Sequence, residues 1–209
     1  MQFTKFTHAC VRLDDGERRL LIDPGIWVER EAYDGVDEIL LTHEHVDHVD
    51  VDTLVAVASA NSSLVVRAPA EVVAQLGALG DAAVAVAPGE EFSAGGFAVH
   101  AVGGLHAEIY DGLPGCANLG YVVEGGVYHP GDAFHVPSTP VHLLCLPVSG
   151  PWLKLAESID FVRAVAPVRA VPIHEALLSD LGHGLVDRWL GMKGGTDCSR
   201  VRPGESIEV

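Results

Sequence analysis

The sequence predicts an α/β fold with four layers, αββα, in which two mixed β-sheets stack face to face and helices cover their outer surfaces. Strand-like and helical runs occur together in both halves of the chain. Several strand-like runs are joined by hairpin turns, which argues against a strict alternation of strands and helices. The 209 residues are 48% hydrophobic, enough for one sizeable core, and no linker divides them. We therefore expect a single domain over residues 1–209.

In the first half, apolar periodicity and turn residues define the elements. Residues 3–13 and 18–22 flank Asp15-Gly16, a favourable hairpin turn, and predict a pair of strands. Residues 50–60 have helical spacing, with apolar side chains along one face. The other elements predicted here are strands over residues 38–42, 64–67 and 83–86 and a helix over residues 69–79.

The second half has a β-rich centre followed by helices. Gly125-Gly126 predicts a hairpin turn between strands at residues 119–124 and 127–128, and the apolar run over residues 141–148 predicts a buried strand. The tail, residues 199–209, is expected to close a sheet as an edge strand. The remaining elements predicted are strands over residues 91–102 and 170–173 and helices over residues 153–165, 175–181 and 185–190.

The charge balance restricts the partners of this chain. Its formal net charge is −16, from 29 acidic and 13 basic residues. A field of that sign repels phosphate backbones, so general nucleic-acid binding is disfavoured. A nuclease is not excluded on this ground, because bound metal dications would make the site itself locally positive. We expect a small-molecule substrate and no nucleic-acid partner.

Targeting and cysteine patterns indicate a cytoplasmic protein. The first five residues lack the charged-then-apolar pattern of a signal peptide, and no stretch approaches the roughly 18 to 20 apolar residues of a membrane span. Cys10, Cys116, Cys145 and Cys198 contain no CxxC pair, which favours reduced thiols over a zinc knuckle or a disulfide framework. We therefore expect no membrane partner. The oligomeric state stays open, a homo-oligomer included.

The strongest local signal is the segment THEHVDH at residues 42–48, which follows a predicted strand. His43 and His45 are two residues apart, so an extended loop points both rings to the same side. Asp47 and His48 follow where the chain would bend and present further ligands nearby. Imidazole and carboxylate are groups that zinc and related divalent metals accept. A histidine-rich surface loop is the alternative, and the position at the mouth of a buried strand argues against it.

This HxHxDH motif resembles that of the metallo-β-lactamase-fold superfamily, and the resemblance runs through nearly the whole chain. Members of that superfamily take further ligands from later loops. Candidates stand at the matching places here, each after an apolar strand and near Gly or Pro. The resemblance implies one metal on His43, His45 and His106 and a second on Asp47, His48 and His174, with Asp132 bridging the two.

The same resemblance implies a dinuclear metal-dependent hydrolase. Two divalent metals, Zn²⁺ first and Mn²⁺ or Fe²⁺ as alternatives, would lower the pKa of a shared water from about 15.7 toward ~7 and so supply a metal-bound hydroxide. Asp47 is the expected catalytic residue, orienting that hydroxide and relaying a proton. The oxygen-reducing di-iron branch has Glu where this sequence has His45, which favours hydrolysis over redox chemistry. No GxSxG phrase of a serine hydrolase occurs.

Several residues outside this ligand set have two interpretations. Asp23 and Asp37 either accept the free N–H of a metal-bound histidine, as carboxylates commonly do, or cap strand ends. Trp152, His135 and His8 either line the substrate pocket or serve only packing or the surface. The sequence does not decide between these interpretations.

The chain is similar in type to the small cytoplasmic members related to ascorbate-phosphate lactonase. The short tail after His174 leaves no room for the added domains of the RNA-processing nucleases and glutathione-thioester hydrolases of this superfamily. The predicted function is hydrolysis of a small ester, lactone or phosphodiester. The alternative is a non-enzymatic metal-binding or assembly module that retains the fold. A nuclease is the third hypothesis, which the net charge disfavours.

Overall fold

Two seven-stranded sheets stack face to face between helices in the computed structural model, which describes residues 1–113 and 115–209. The predicted αββα fold class is confirmed. In this part of the chain the strands are β1 Gln2–Lys5, β2 Val11–Asp15, β3 Arg18–Ile22, β4 Glu38–Leu40, β5 Val65–Ala68, β6 Ala83–Ala85, β7 Glu91–Ala94, β8 Phe97–Leu105, β9 Ala117–Val123, β10 Val127–His129, β11 Leu143–Pro147, β12 Arg169–Ile173, β13 Asp197–Cys198 and β14 Ser206–Glu208. The helices are α1 Val51–Ala60, α2 Ala70–Gln75, α3 Leu155–Val165 and α4 Asp180–Lys193, with 3-10 segments at Arg30–Tyr33 and Gly77–Ala82.

Each sheet is partly antiparallel and partly parallel. The first has the order β14-β1-β2-β3-β4-β5-β6, antiparallel as far as β3 and parallel from β3 to β6. The second has the order β13-β12-β11-β10-β9-β8-β7, parallel as far as β10 and antiparallel from β10 to β7. The hairpins expected at Gly16 and Gly125 are present. Because β14 pairs with β1 at an edge, Phe3 opposite Ile207, the edge strand predicted in the tail is also confirmed.

Apolar side chains fill the three spaces between these four layers. Fully burying one large apolar side chain contributes about 1.5–3 kcal/mol, so these interfaces dominate the stability of the fold. The layer between the sheets includes Phe3, Leu13, Leu20, Phe97, Tyr121 and Leu143. The first sheet packs on α1 and α2 through Leu21, Ile39, Val66, Leu54 and Val72. The second sheet packs on α3 and α4 through Leu144, Leu146, Phe161, Val162 and Leu190.

The single strand predicted over residues 3–13 is wrong, because the chain leaves the sheet after Lys5 and re-enters it at Val11. The Phe6 N–H closes the intervening turn by donating to the Cys10 carbonyl at 2.9 Å. His8, inside this turn, has a φ of 65°, a value that a strand does not allow. The break places His8 off the sheet, among the polar loops.

Two further differences from the prediction lie in the middle of the chain. The strand predicted over residues 91–102 is a hairpin of β7 and β8, because Gly95 and Gly96 turn the chain with φ values of 56° and 80°. The helix predicted over residues 69–79 ends at Gln75, and a 3-10 segment replaces its last turn. Glycine readily adopts the positive φ that the hairpin needs.

The two short helices predicted over residues 175–181 and 185–190 are one longer helix, α4, preceded by a loop. His174 has a φ of 60°, so the chain turns sharply at the end of β12 rather than starting a helix there. The Ser179 hydroxyl oxygen begins α4 as its cap by accepting from the Gly182 N–H at 3.3 Å. Of the helices described, none has the length and apolarity that crossing a bilayer requires.

Candidate metal centre

The side chains predicted as metal ligands come from four loops, which follow β4, β8, β10 and β12. The structure brings all seven together and adds His8 from the turn between β1 and β2. They form two groups, and within each group the potential ligand atoms all lie within 4.8 Å of one another. The first group is His43, His45, His106 and Asp132, and the second is His8, Asp47, His48 and His174.

Asp132 lies between the two groups and contacts both. Its Oδ2 is 3.4 Å from His106 Nε2 and 3.9 Å from His43 Nε2 in the first group. The same carboxylate reaches the second group, with Oδ1 at 3.2 Å from His48 Nε2 and Oδ2 at 3.0 Å from His174 Nε2. Asp132 therefore occupies the position that a bridging carboxylate requires.

The loop with the first four ligands is shaped by a tight turn and a close neighbour. The N–H of His48 donates to the His45 carbonyl at 2.9 Å. This bond bends the chain, and the rings of His45 and His48 both face the ligand groups. Gly25 lies directly against this bend, where a Cβ would be 2.1 Å from the Asp47 carbonyl oxygen. Only glycine fits this approach, and it holds the loop after β3 against the ligand loop.

Asp23 fixes the tautomers of two ligand histidines. The His48 Nδ1–H donates to Asp23 Oδ2 at 2.7 Å. The Thr42 hydroxyl also donates to Asp23 Oδ2 at 2.7 Å, so its oxygen is left to accept the Nδ1–H of His43 at 2.9 Å. With Nδ1 paired in this way, both imidazoles direct Nε2 into the centre as the atom that can bind a metal. Of the two interpretations of Asp23, support of metal-binding histidines fits this arrangement.

Other buried groups hold Asp132 and His106. The Trp152 Nε1–H donates to Asp132 Oδ2 at 2.8 Å, and the Asp132 N–H donates to Asn118 Oδ1 at 3.0 Å. The His106 Nδ1–H donates to the Ala107 carbonyl at 2.5 Å, which again leaves Nε2 free. The contact between Trp152 and Asp132 could not be predicted from local sequence, since it joins residues 20 positions apart.

Unpaired buried atoms test whether this centre fits a metal. Among the described residues, the buried side-chain atoms without a hydrogen-bond partner include His48 Nε2, His106 Nε2, His174 Nε2 and Asp132 Oδ1. Each such atom costs about 1–3 kcal/mol if nothing satisfies it, and native proteins contain few of them. These four face one another across the space between the two groups. The residues present therefore fit divalent metals held by imidazole nitrogens and carboxylate oxygens.

Burial and nearby carboxylates set the protonation of the centre before a metal binds. Burial by itself would lower the pKa of His48, but Asp132 and Asp23 raise it well above its usual value. Burial likewise opposes the charged form of His174, yet the carboxylates of Asp132 and Asp47, whose Oδ2 atoms lie 3.0 and 3.3 Å from His174 Nε2, raise its pKa to about 9. Burial keeps the pKa of His43 well below the ordinary value. The carboxylates of the metal-free centre therefore favour the protonated forms of His48 and His174.

We expect metal binding to release protons, because His48 and His174 must become neutral in order to coordinate. At pH 7 we therefore expect a net release of protons as the metals bind. The apparent metal affinity should rise with pH until the pH passes the His174 pKa of about 9, and it should fall as the solution becomes more acidic. Calorimetric titrations in buffers with different ionisation enthalpies measure this release. A metal affinity that is independent of pH would contradict the expectation.

Other residues singled out from the sequence lie elsewhere. Asp37 is exposed and accepts from Asn61 Nδ2 at 2.7 Å and from Ser63 Oγ at 2.9 Å. It therefore stabilises a loop and does not support a candidate ligand. His135 is exposed, and it contributes its backbone carbonyl to the Tyr128 hydroxyl at 2.8 Å. Neither residue contacts the centre in the described part of the chain.

Comparison with known proteins identifies the family of this chain. The family described as Beta-lactamase superfamily domain matches residues 2–174, a range that contains every residue of both groups. Protein Rv0786c of Mycobacterium tuberculosis is 39% identical over 191 residues, which are 88% of this chain and 89% of that protein. A UPF0173 metal-dependent hydrolase of Chelativorans sp. is 33% identical over 150 residues, 63% of each chain.

A solved structure shares the fold across the full length. Igni18, described as a novel metallo hydrolase from the archaeon Ignicoccus hospitalis, superposes with a TM-score of 0.77 at 19% sequence identity. The superposition covers 100% of this chain and 98% of that one. At this level of identity, the likeness concerns the arrangement of sheets and helices.

Proposed function

This chain belongs to the beta-lactamase superfamily, and from that premise we propose that it is a metal-dependent hydrolase of small esters or lactones that uses two divalent metals. Zn²⁺ is the first candidate, with Mn²⁺ or Fe²⁺ as alternatives, because imidazole and carboxylate ligands accept all three. One observation carries the proposal: buried histidine nitrogens and a carboxylate oxygen that lack hydrogen-bond partners converge on the space between two ligand groups. The name of the UPF0173 relative supports it as well.

The proposed ligands divide between the two metals, with Asp132 shared. His43, His45 and His106 would hold one metal, and Asp47, His48 and His174 the other. When bound, such a pair of metals polarises the scissile carbonyl and lowers the pKa of water toward ~7. Asp23, Thr42 and Trp152 would keep the ligands oriented by the hydrogen bonds described above.

Asp47 is the proposed catalytic residue, and its exposure supports that role. Its side chain is 20% exposed, whereas that of Asp132 is 2% exposed, so Asp47 is the carboxylate of the pair that a substrate can reach. The contacts from His8 and His174 both fall on Asp47 Oδ2. We therefore assign transient storage of a proton during ester cleavage to Asp47 Oδ1.

The cavity beside the first ligand group favours an uncharged substrate. Its volume is about 100 Å³, and its lining includes Glu44, His45 and His106 together with the apolar Ile109 and Leu113. Among the described lining residues there is no Lys or Arg, so apart from any bound metals the protein would present Glu44 and no cation to a phosphate group. Ile109 and Leu113 are 42% and 57% exposed and offer an apolar edge. The lining thus supports esters and lactones over phosphodiesters.

Exchange of the charge at position 44 tests this preference. In Glu44→Lys we expect kcat/KM for bis(4-nitrophenyl) phosphate to rise roughly tenfold relative to that for 4-nitrophenyl acetate, because reversing one charge near a reacting group is worth about 1–2 kcal/mol. Glu17→Lys, an equal change of net charge in the exposed turn between β2 and β3, should leave the ratio unchanged. Equal responses of the two variants would contradict the assignment of Glu44 as a selector.

Elemental analysis combined with a panel of esters, lactones and phosphodiesters tests the proposed function itself. We expect about two metals per chain, as two-metal catalysis requires, and hydrolysis that stops on chelation. Full activity after chelation would refute the mechanism. Two bound metals without turnover of any member of the panel would favour the metal-binding or assembly module instead.

A further inference from the structure

His8 has a ring nitrogen close enough to Asp47, His48 and His174 to be counted among the potential ligands of one metal. We infer that it is not a ligand: His8 is a positioning residue whose Nε2–H holds the Asp47 carboxylate in place. The inference rests on the proposed function only in taking Asp47 as a metal ligand. It is carried by the two hydrogen bonds of the His8 ring.

The ring of His8 uses both nitrogens, and the roles of the two differ. Its Nδ1 accepts the backbone N–H of Ala176 at 3.3 Å, so Nδ1 carries no proton. A neutral imidazole then has its proton on Nε2. That atom lies 3.0 Å from Asp47 Oδ2 and therefore donates to it. No lone pair is left on Nε2 for a cation.

The orientation of the ring is determined by these partners. Rotation of the ring by 180° would exchange each nitrogen for a carbon and would lose the bonds to both Ala176 and Asp47. The ring also packs at a centroid distance of 4.0 Å from His174 and edge-on at 5.0 Å from Trp27. One orientation alone satisfies every contact.

The backbone of His8 is fixed as firmly as its ring. Its carbonyl oxygen accepts from Lys5 Nζ at 2.5 Å and from the His174 N–H at 3.3 Å. The residue is fully buried and has a φ of 65°, a backbone conformation that residues other than glycine rarely adopt. Surrounding contacts therefore hold His8 in a strained position beside Asp47, as is common where a residue supports a functional group.

Comparison with the other histidines separates His8 from the ligands. His43, His48 and His106 each donate Nδ1–H to an oxygen and direct Nε2 into the centre as the atom left for a metal. His8 has the opposite tautomer, with the proton on the atom that faces the centre. The difference follows from the partner at Nδ1, which is an oxygen for the ligands and an N–H for His8. His8 thus acts on Asp47 and not on a metal.

Two replacements distinguish positioning from ligation. In His8→Phe we expect two metals per chain to remain by elemental analysis, while kcat falls about 10- to 100-fold, the usual cost of losing a group that orients a ligand. His8→Gln should recover most of that loss, because its amide can offer oxygen to Ala176 and N–H to Asp47. His142→Gln, at an exposed histidine, is the matched control and should change neither quantity.

Nuclear magnetic resonance of the ¹⁵N-labelled protein gives a readout that does not depend on turnover or on any variant folding. We expect the metal-free and the metal-loaded protein both to show His8 protonated at Nε2 and unprotonated at Nδ1. A His8 Nε2 that loses its proton on metal addition, or a His8→Phe protein with one metal fewer, would overturn the inference. Failure of the wild-type protein to bind any metal would instead refute the proposed function, and the metal-free spectrum would still decide the tautomer.

Discussion

Replacement of Asp132 by alanine is expected to remove both metals and to lower kcat/KM for an ester or lactone by about 10⁴-fold, because metal activation of water then disappears. The carboxylate is 3.0–3.4 Å from nitrogens of His48, His106 and His174, which belong to both ligand groups. Its removal leaves each group without its shared anion. Elemental analysis and steady-state kinetics on the same preparation measure both effects.

Two companion variants sharpen this test. His45→Ala removes a ligand of one proposed site only, so we expect loss of that metal together with activity. Asp37→Ala removes a carboxylate that the sequence alone could not distinguish from Asp23, and the structure places it with Asn61 and Ser63. We expect the Asp37 variant to keep two metals and full activity. An Asp132→Ala protein with both metals and normal kinetics would contradict the assigned centre.

The candidate ligands could be predicted from the sequence because their signal is local. The HxHxDH segment places four candidate ligands within six residues, and each later candidate ends an apolar strand. Parallel strands end at the same edge of a sheet, so side chains at such ends converge even when they are far apart in the chain. The distances that join Asp132 to His48 and His174 agree with that expectation.

The supporting contacts could not be predicted, because they depend on three-dimensional packing. Nothing local distinguishes Asp23, which accepts from His48, from the exposed Asp37. The bond from Trp152 to Asp132 and the bond from Ala176 to His8 join distant segments. The role of His8 further depends on a turn inside the segment of residues 3–13, which was predicted as one strand.

The fold shows the same division between local and distant information. Hairpins at Gly16 and Gly125 follow from turn chemistry and were predictable. The pairing of the C-terminal strand β14 with the N-terminal β1 gives the first sheet its edge, and residue spacing alone does not specify which edge a tail strand joins. Long-range register of this kind is set by the burial of one face of each strand.

Breaking a buried ion pair beneath the centre is expected to have the second large effect, which is on the free energy of unfolding. Lys5 is fully buried, and its Nζ donates to Glu175 Oε1 at 2.9 Å and to the carbonyls of Phe6 and His8. Glu175 directly follows the proposed ligand His174, so the pair joins the first sheet to the loop after β12. We expect Lys5→Met to lower the free energy of unfolding by about 3–5 kcal/mol, because it leaves a buried carboxylate without its partner.

The charge, and not the packing of the methylene stem, is the source of this loss. The double variant Lys5→Met/Glu175→Leu removes both charges and should regain most of the free energy, since apolar replacement of a whole buried pair is often neutral or stabilising. Arg200→Met breaks the partly exposed pair with Asp187, 2.9 Å apart, and should cost less than about 1 kcal/mol. Urea unfolding of the chelated proteins compares the three without a contribution from metal binding. Equal losses for Lys5→Met and the double variant would show that packing around the Lys5 stem is responsible.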